Sequence, residues 1–185
     1  GINVDEYQPN YDNQGYAIFL GRLSQEKGVA TLLQANRLSD SRLPLKIIGT
    51  GPLLGELSRE YPEVEFMGYR SGQELKNLVA NAAFVVVPSE CYENCSMVVL
   101  EAMALGKPVI GSRIGGIPEQ IEDGRTGFLF EMGNVKELAR KIDILDSDAG
   151  LRKQLGHAAR LKLEQKYSLA EHNRQLLKIY SGLLA

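Results

Sequence analysis

Short apolar runs alternate along residues 16–130 with longer stretches in which apolar residues recur at helical spacing. The runs predict strands at 16–20, 45–48, 64–67, 83–88, 108–111 and 127–130, and the longer stretches predict helices at 28–37, 53–61, 72–81, 97–105 and 118–121. Strands separated by helices of about ten residues indicate right-handed crossovers and a parallel sheet covered on both faces. The almost wholly apolar runs FVVVP and PVIG suit central strands of that sheet.

The two ends of the chain differ from this middle part. Residues 1–14 are polar, contain a proline and lack periodicity, so they predict an interdomain linker or edge segment outside the core. After residue 130 the strands stop, and helices are predicted at 135–145, 151–166 and 169–184. We therefore expect residues 15–185 to form a Rossmann-like three-layer αβα domain, with about six parallel strands and a C-terminal helical tail.

Composition narrows the class of protein. A chain of 185 residues with 44% hydrophobic and 24% charged residues suits one soluble globular domain. Because 21 basic and 23 acidic residues nearly cancel, we expect no nucleic-acid partner, and any phosphate site must be local. No apolar run approaches the ~18 residues of a membrane span, and no leader is visible. We expect a cytoplasmic location, with peripheral membrane association only through a further part of the protein.

The cysteines and histidines give no reactive constellation. Cys91 and Cys95 have no further cysteine or histidine near them in the sequence, so free thiols are favoured over a zinc site. His157 and His172 lie in charged segments that are predicted as solvated helices. A histidine-based catalytic dyad is therefore not expected.

The loop after the first strand contains two cations between glycines. Arg22 and Lys27 lie between Gly21 and Gly28, where a helix N-terminus offers unpaired N–H groups. Arginine would give a forked contact and lysine a mobile point charge. The loop predicts a pyrophosphate clamp, with a solvated loop of incidental charges as the alternative.

The loop after the second strand, residues 49–55, is rich in glycine. Its spacing is one residue too long for G-x-G-x-x-G, and Pro52 removes an amide donor. A turn that starts a helix or flanks the ligand site is favoured over a dinucleotide-binding loop.

The most specific stretch follows the strand at 83–88. Glu93 lies in the loop, and Glu101 lies eight residues further, inside the predicted helix. Two carboxylates on one wall of a cleft can accept hydrogen bonds from sugar hydroxyls, while the backbone amides of residues 94–97 face an anion. Surface charge is the alternative for the carboxylate pair taken alone.

Five segments in order resemble the C-terminal domain of the family-4 retaining glycosyltransferases of GT-B fold. They are GRLSQEKG, IIGTGP, FMGYRS, VVPSECYENCSMVVLEAMALGKPVIGS with the E-x7-E pattern, and GGIPEQIEDGRTGFLF. Nearly the whole chain is covered, and residues 1–9 are similar to the linker that leaves the N-terminal domain in this family. The N-terminal domain and the acceptor site are therefore expected to lie outside this chain.

The resemblance implies roles for individual residues. Arg22 and Lys27 would hold the donor diphosphate, Glu101 the ribose hydroxyls, and Glu93 the hydroxyls of the transferred sugar. The catalytic group would comprise Glu93, Arg22 and Lys27, with Gly21 and the backbone around Asn94, Cys95, Ser96 and Met97 completing the donor site.

Other positions match the family less specifically. The segment at 67–70 borders the base in the family, so Tyr69 or Arg70 either stacks on the base or faces solvent. Gly115 and Gly116 are interpreted as backbone geometry, and Glu119 as a supporting or helix-start residue.

The reaction that the resemblance implies is transfer of a sugar from a nucleoside diphosphate donor with retention, without a cofactor and without a metal, because Arg22 and Lys27 can stabilise the charge that a metal stabilises elsewhere. UDP-glucose is the first donor predicted and GDP-mannose the second. Glu93 could serve as a covalent nucleophile, but sugar binding is favoured, and front-face and double-displacement routes stay open. The acceptor is not legible, and a place in bacterial polysaccharide or glycolipid assembly is expected by analogy.

Three rival functions stay open at this point. They are a GT-B epimerase or phosphorylase, a non-catalytic sugar-nucleotide sensor or scaffold, and a nicotinamide-dependent oxidoreductase. The paired glutamates favour the transferase. A chain of this kind is expected to bind donor, to hydrolyse it slowly at most, and to expose an apolar face on its last helix that packs against the absent domain or promotes association.

Overall fold

The structure, a computed structural model, describes residues 1–41 and 43–183. Six strands form one parallel sheet: β1 (Ala17–Leu20), β2 (Leu45–Ile48), β3 (Glu65–Gly68), β4 (Phe84–Val87), β5 (Val109–Ser112) and β6 (Gly127–Phe130). Their spatial order is β3-β2-β1-β4-β5-β6. The chain thus builds outward in one direction from β1 and then restarts at β4 on its other side.

Eight helices accompany the sheet in the described part of the chain: α1 (Val29–Leu38), α2 (Leu54–Glu60), α3 (Gly72–Ala80), α4 (Met97–Ala104), α5 (Ile117–Gln120), α6 (Val135–Ser147), α7 (Ala149–Lys166) and α8 (Leu169–Leu183). Short 3₁₀ turns occur at Val4–Glu6 and Gln25–Lys27. Every predicted strand and helix is present, with ends that differ by at most two residues; Leu184, the predicted end of the last helix, lies outside the described residues.

Two apolar cores lie on the two faces of the sheet. One contains buried side chains of α1, α2 and α6, and the other contains those of α3, α4, α5 and α7. All four residues of β4 are buried, because this central strand has helices on both faces. The expected three-layer αβα architecture is therefore confirmed.

The prediction that residues 1–14 lie outside the core is wrong for two side chains. Ile2 and Tyr7 are buried in the same core as α4. The Ile2 amide also donates to the Tyr167 carbonyl, and the Leu169 amide donates to the Ile2 carbonyl. Single apolar residues anchor this segment, so no period reveals their burial. Its role as an interdomain linker stays a prediction.

Candidate functional site

The candidate site lies where the strand order reverses, between β1 and β4. At such a switch point the following loops diverge to opposite faces and leave a crevice beyond the carboxyl ends of the strands. Two adjoining cavities of about 560 and 230 Å³ occupy this position and share Leu20, Gly21 and Val98 in their walls. We call the two together the switch-point cleft.

The larger cavity contains the predicted cation Arg22. Its walls also include Gly49, Thr50 and Gly51 of the loop after β2. This loop both flanks the cleft and leads into α2, as expected from the sequence. Arg22 itself is exposed, so its guanidinium is accessible from the cleft.

Tyr69 and Arg70 close the far side of the larger cavity. The Tyr69 side chain is 71% exposed. Arg70 forms an ion pair with Glu74, with 2.8 Å between its Nε and the carboxylate Oε1. Both residues therefore border the cleft, while stacking on a base stays a prediction.

Lys27 and Glu93 meet in the smaller cavity. The Lys27 ammonium donates to Glu93 Oε1 at 2.7 Å, and the Ser89 hydroxyl donates to the same oxygen at 2.6 Å. The Glu93 side chain is only 16% exposed. Two residues that are 66 positions apart in sequence thus bring a cation and a carboxylate together at the smaller cavity.

This contact sets the ionisation of both groups. Burial by itself raises the pKa of Glu93, but the hydrogen bonds from Lys27 and Ser89 hold it below its ordinary value. The hydrogen bond to Glu93 raises the pKa of Lys27 despite partial burial. At neutral pH the cleft therefore contains a fixed cation and a fixed carboxylate.

Close backbone packing holds the two loops together. Gly28 has a φ of 65°, and a Cβ at this position would lie 1.8 Å from the Pro88 carbonyl oxygen. Only glycine allows this approach. The Glu90 amide further donates to the Glu26 carbonyl at 2.8 Å. The position of Lys27 relative to Glu93 is therefore fixed by the backbone.

The turn before α5 supports the loop of residues 93–96, which we call the Glu93 loop, from the other side. The Gly116 amide donates to the Glu93 carbonyl at 2.7 Å, and a Cβ on Gly116 would lie 2.1 Å from the Asn94 carbonyl oxygen. Gly115, with a φ of 56°, packs on the same loop. These glycines serve backbone geometry, as predicted, and Glu119 lies in the first turn of α5.

The expected row of anion-binding amides needs one correction. The Ser96 amide donates to the Gln120 side-chain carbonyl at 3.0 Å and so is already engaged. Ser96 and Met97 line the smaller cavity, whereas Asn94 and Cys95 are exposed on the loop. The Leu100 amide already donates to the Ser96 carbonyl, so only the amides of residues 97–99 come before the hydrogen bonds of the helix begin, where a helix N-terminus can receive an anion.

Glu101 lies outside the two cavities of the cleft. It lines a separate cavity of about 100 Å³ with Tyr7 and Lys76, and Leu75 separates this cavity from the larger one. The Tyr7 hydroxyl donates to Glu101 Oε1 at 3.4 Å. Burial raises the pKa of Glu101, and the Tyr7 hydrogen bond and the Lys76 charge offset only part of that rise.

Sequence reasoning missed several residues of the site. Ser89 lies two residues after the end of β4, at the edge of the sheet where ligands bind, whereas Tyr7 and Gln120 reach the site only through tertiary packing. The cysteines and histidines are as predicted: Cys91 and Cys95 are free thiols, and both histidines are exposed on helices.

Across residues 1–41 and 43–183, no three histidine, cysteine or acidic side chains are grouped so that they could hold a metal ion. Within the same described ranges, no helix has the length and apolarity to cross a membrane.

Comparison with known proteins identifies the family. The family described as "Glycosyl transferases group 1" matches residues 4–162. The chain belongs to this family. An uncharacterized glycosyltransferase of Methanocaldococcus jannaschii is 32% identical over 188 residues, which cover 99% of this chain and 52% of the relative. The chain thus spans about half the length of this curated relative.

Solved structures agree on the fold. HepE of Anabaena in complex with UDP has a TM-score of 0.89 at 24% identity, covering 98% of this chain and 56% of that one; the same protein is also solved with UDP-glucose. The C-terminal domain of a group 1 glycosyl transferase (LpcC) from Francisella tularensis has a TM-score of 0.81 at 23% identity, covering 91% of this chain and 100% of that one. The chain therefore matches the C-terminal domain of the GT-B fold.

Proposed function

We propose that this chain is the donor-binding domain of a retaining, metal-independent glycosyltransferase whose donor is a UDP-sugar, with UDP-glucose as the first candidate. The observation that supports it most is the switch-point cleft, which combines Arg22, the Lys27–Glu93 pair and the first turn of α4. A nucleoside diphosphate sugar needs these three features: cations and amides for its phosphates, and a carboxylate for its sugar hydroxyls.

The diphosphate would lie between the two cavities. Lys27 reaches this point from the loop after β1, and Arg22 borders it from the larger cavity. The partial positive charge at the α4 N-terminus favours an anion at the same position. When the bond to the sugar breaks, negative charge grows on the diphosphate, and these groups stabilise it without rearrangement.

The transferred sugar would occupy the smaller cavity. Glu93 is an ionised acceptor there, and the Lys27 and Ser89 donors hold its Oε1 in place. A carboxylate held in this way is suited to orienting sugar hydroxyls. The same two hydrogen bonds withdraw electron density from Oε1, so sugar binding is favoured over nucleophilic attack by this oxygen.

The nucleoside would occupy the larger cavity. Tyr69 and Arg70 would border the base. Glu101 lies behind Leu75, so it would accept from the ribose hydroxyls once the Leu75 side chain moves aside. The complexes of the Anabaena protein with UDP and UDP-glucose support uridine over guanosine.

The acceptor belongs in this proposal to a second domain. Relatives are about twice as long as this chain, and GT-B enzymes place their active site between two domains. We therefore expect the present chain to bind donor, to hydrolyse it slowly at most, and to transfer sugar only in the context of the longer protein.

Calorimetric titration tests the proposal. Wild type and Lys27→Ala would be titrated with UDP, UDP-glucose and GDP-mannose in EDTA, then with added Mn²⁺. We expect wild type to bind UDP and UDP-glucose in EDTA, and Lys27→Ala to bind at least about tenfold more weakly because a charge-assisted contact is lost. The control is Arg140→Ala, since Arg140 is exposed on α6 and donates to the Lys136 carbonyl of the same helix, outside both cavities of the cleft.

Three other outcomes would each contradict one part of the proposal. Equal affinity of Lys27→Ala and Arg140→Ala would reject the diphosphate site. Tighter binding of GDP-mannose would reject uridine, and a strict need for Mn²⁺ would reject metal independence.

A further inference from the structure

Gln120, the last residue of α5, has a fully engaged buried side chain. It is only 2% exposed. Its Oε1 accepts from the Ser96 amide at 3.0 Å, and its Nε2 donates to the Ser96 carbonyl at 3.0 Å and to Cys95 Sγ at 3.4 Å. A buried amide is unfavourable unless bonded in this way. One side chain thus pairs with both backbone groups of Ser96, as a neighbouring strand would.

The pairing fastens one end of the Glu93 loop. Ser96 directly precedes α4, whose first turn faces the smaller cavity. The other end of the loop is fastened by the Gly116 amide, which donates to the Glu93 carbonyl at 2.7 Å. The short helix α5 therefore holds the loop at both ends, through Gly116, the residue before its first turn, and through Gln120, its last residue.

Gln120 has no direct access to a ligand in the cleft. It lies in the wall of neither cavity, whereas Ser96 and Glu93 line the smaller one. Any influence on the donor must therefore act through the loop.

We propose that Gln120 is a positioning residue that fixes the loop from Glu93 to Ser96 and thereby the fit of the donor's sugar. The inference rests on the proposed function. The sugar would depend directly on Glu93 of this loop, whereas the nucleotide would keep Arg22 and the loop after β2 in the larger cavity. Loosening the loop therefore weakens the hold on the sugar more than the hold on the nucleotide.

The test compares two ligands on the same variants. Gln120→Met keeps the length of the side chain but removes its three hydrogen bonds, and Gln120→Glu keeps an acceptor for the Ser96 amide while placing a second oxygen against the Ser96 carbonyl. The control is Thr126→Val, which removes a part-buried bond from the Glu122 amide to the Thr126 hydroxyl, 2.9 Å long, in the turn between α5 and β6 and outside both cavities of the cleft. For each, the dissociation constants of UDP and UDP-glucose and the Tm are measured.

We expect both Gln120 variants to weaken UDP-glucose binding by about tenfold and UDP binding by less than about threefold, because small displacements of a binding group cost this much. Thr126→Val is expected to lower the Tm without changing the ratio of the two constants.

Two results would overturn the inference. An unchanged ratio in the folded Gln120 variants, with a lowered Tm as in Thr126→Val, would show that Gln120 only stabilises the fold. If Gln120→Met does not fold, Gln120→Glu decides alone. Failure of wild type to bind either ligand would instead reject the proposed function, and the inference with it.

Discussion

At the scale of single residues, Glu93 and Glu101 occupy opposite electrostatic environments although they lie eight positions apart. Hydrogen bonds from Lys27 and Ser89 hold the pKa of Glu93 low, whereas burial raises the pKa of Glu101. Carboxyl groups with separated pKa values commonly serve different roles. Here Glu93 remains ionised to lower pH than Glu101. This difference fits the proposed roles of Glu93 at the sugar hydroxyls and of Glu101, which is less solvated, at the ribose hydroxyls.

Replacing Glu93 by glutamine tests its role at the sugar. We expect Glu93→Gln to weaken UDP-glucose binding by roughly tenfold or more, because charged acceptors bind hydroxyls more strongly than neutral ones. UDP, which lacks the sugar, is expected to bind within about threefold of wild type. Parallel titrations with the two ligands measure this, and an equal loss for both would contradict the assignment.

Replacing Glu101 by glutamine tests whether the buried carboxylate of Glu101 destabilises the fold in a pH-dependent way. A carboxyl whose pKa is raised by folding binds its proton more tightly in the folded state, so stability falls as the pH rises through the folded pKa. The full loss of stability is therefore present at neutral pH. We expect Glu101→Gln to raise the Tm by about 2 °C near pH 7.5 and to weaken UDP binding, with the Tm gain shrinking toward about pH 4. A pH-independent loss of Tm would contradict this account.

At the scale of elements, the N-terminal segment belongs to the fold of this domain. Tyr7 is 9% exposed, packs in the core beside α4, and donates to Glu101. Lys76 of α3 lies over its ring at 4.2 Å from the centroid. The segment therefore connects the start of the chain to the proposed ribose site.

Removal of the Tyr7 ring measures that connection. We expect Tyr7→Ala to lower the free energy of unfolding by about 3 kcal/mol, as large-to-small core changes do. Tyr180→Ala, on the exposed face of α8, is expected to change it by no more than about 0.5 kcal/mol. Urea denaturation distinguishes the two, and similar small changes in both would contradict the burial of Tyr7.

The elements that the sequence predicts well are those with a strong local pattern. The run FVVV is apolar at every position, which suits a strand that is buried on both faces. The glycines around Arg22 and Lys27 indicate a loop at the carboxyl ends of the strands, where ligands bind. Gln120 and Tyr7 were not foreseen as site residues, because their partners are 24 and 94 residues away and a lone polar or aromatic residue has no periodic signal. Local patterns thus fix the scaffold, while contacts between loops complete the site.

At the scale of the whole molecule, the chain spans about half or less of the length of the curated relatives it matches. Leu177, Ile179 and Tyr180 of α8 are exposed apolar residues, and large apolar surfaces commonly contact partners. That this face packs against the other half of the longer protein stays a prediction. The residues that the proposal assigns to the donor, in contrast, all lie within this chain.

The central claim is that the donor diphosphate binds in the switch-point cleft. Backbone amide shifts of the ¹⁵N-labelled domain, followed by NMR during titration with UDP-glucose in EDTA, test it most directly. The account predicts that the largest shifts occur at Gly21, Lys27, Gly51, Glu93 and Val98, on the loops after β1, β2 and β4. If the largest shifts occur near the amino ends of the strands, or if no shifts occur at saturating UDP-glucose, the claim is contradicted.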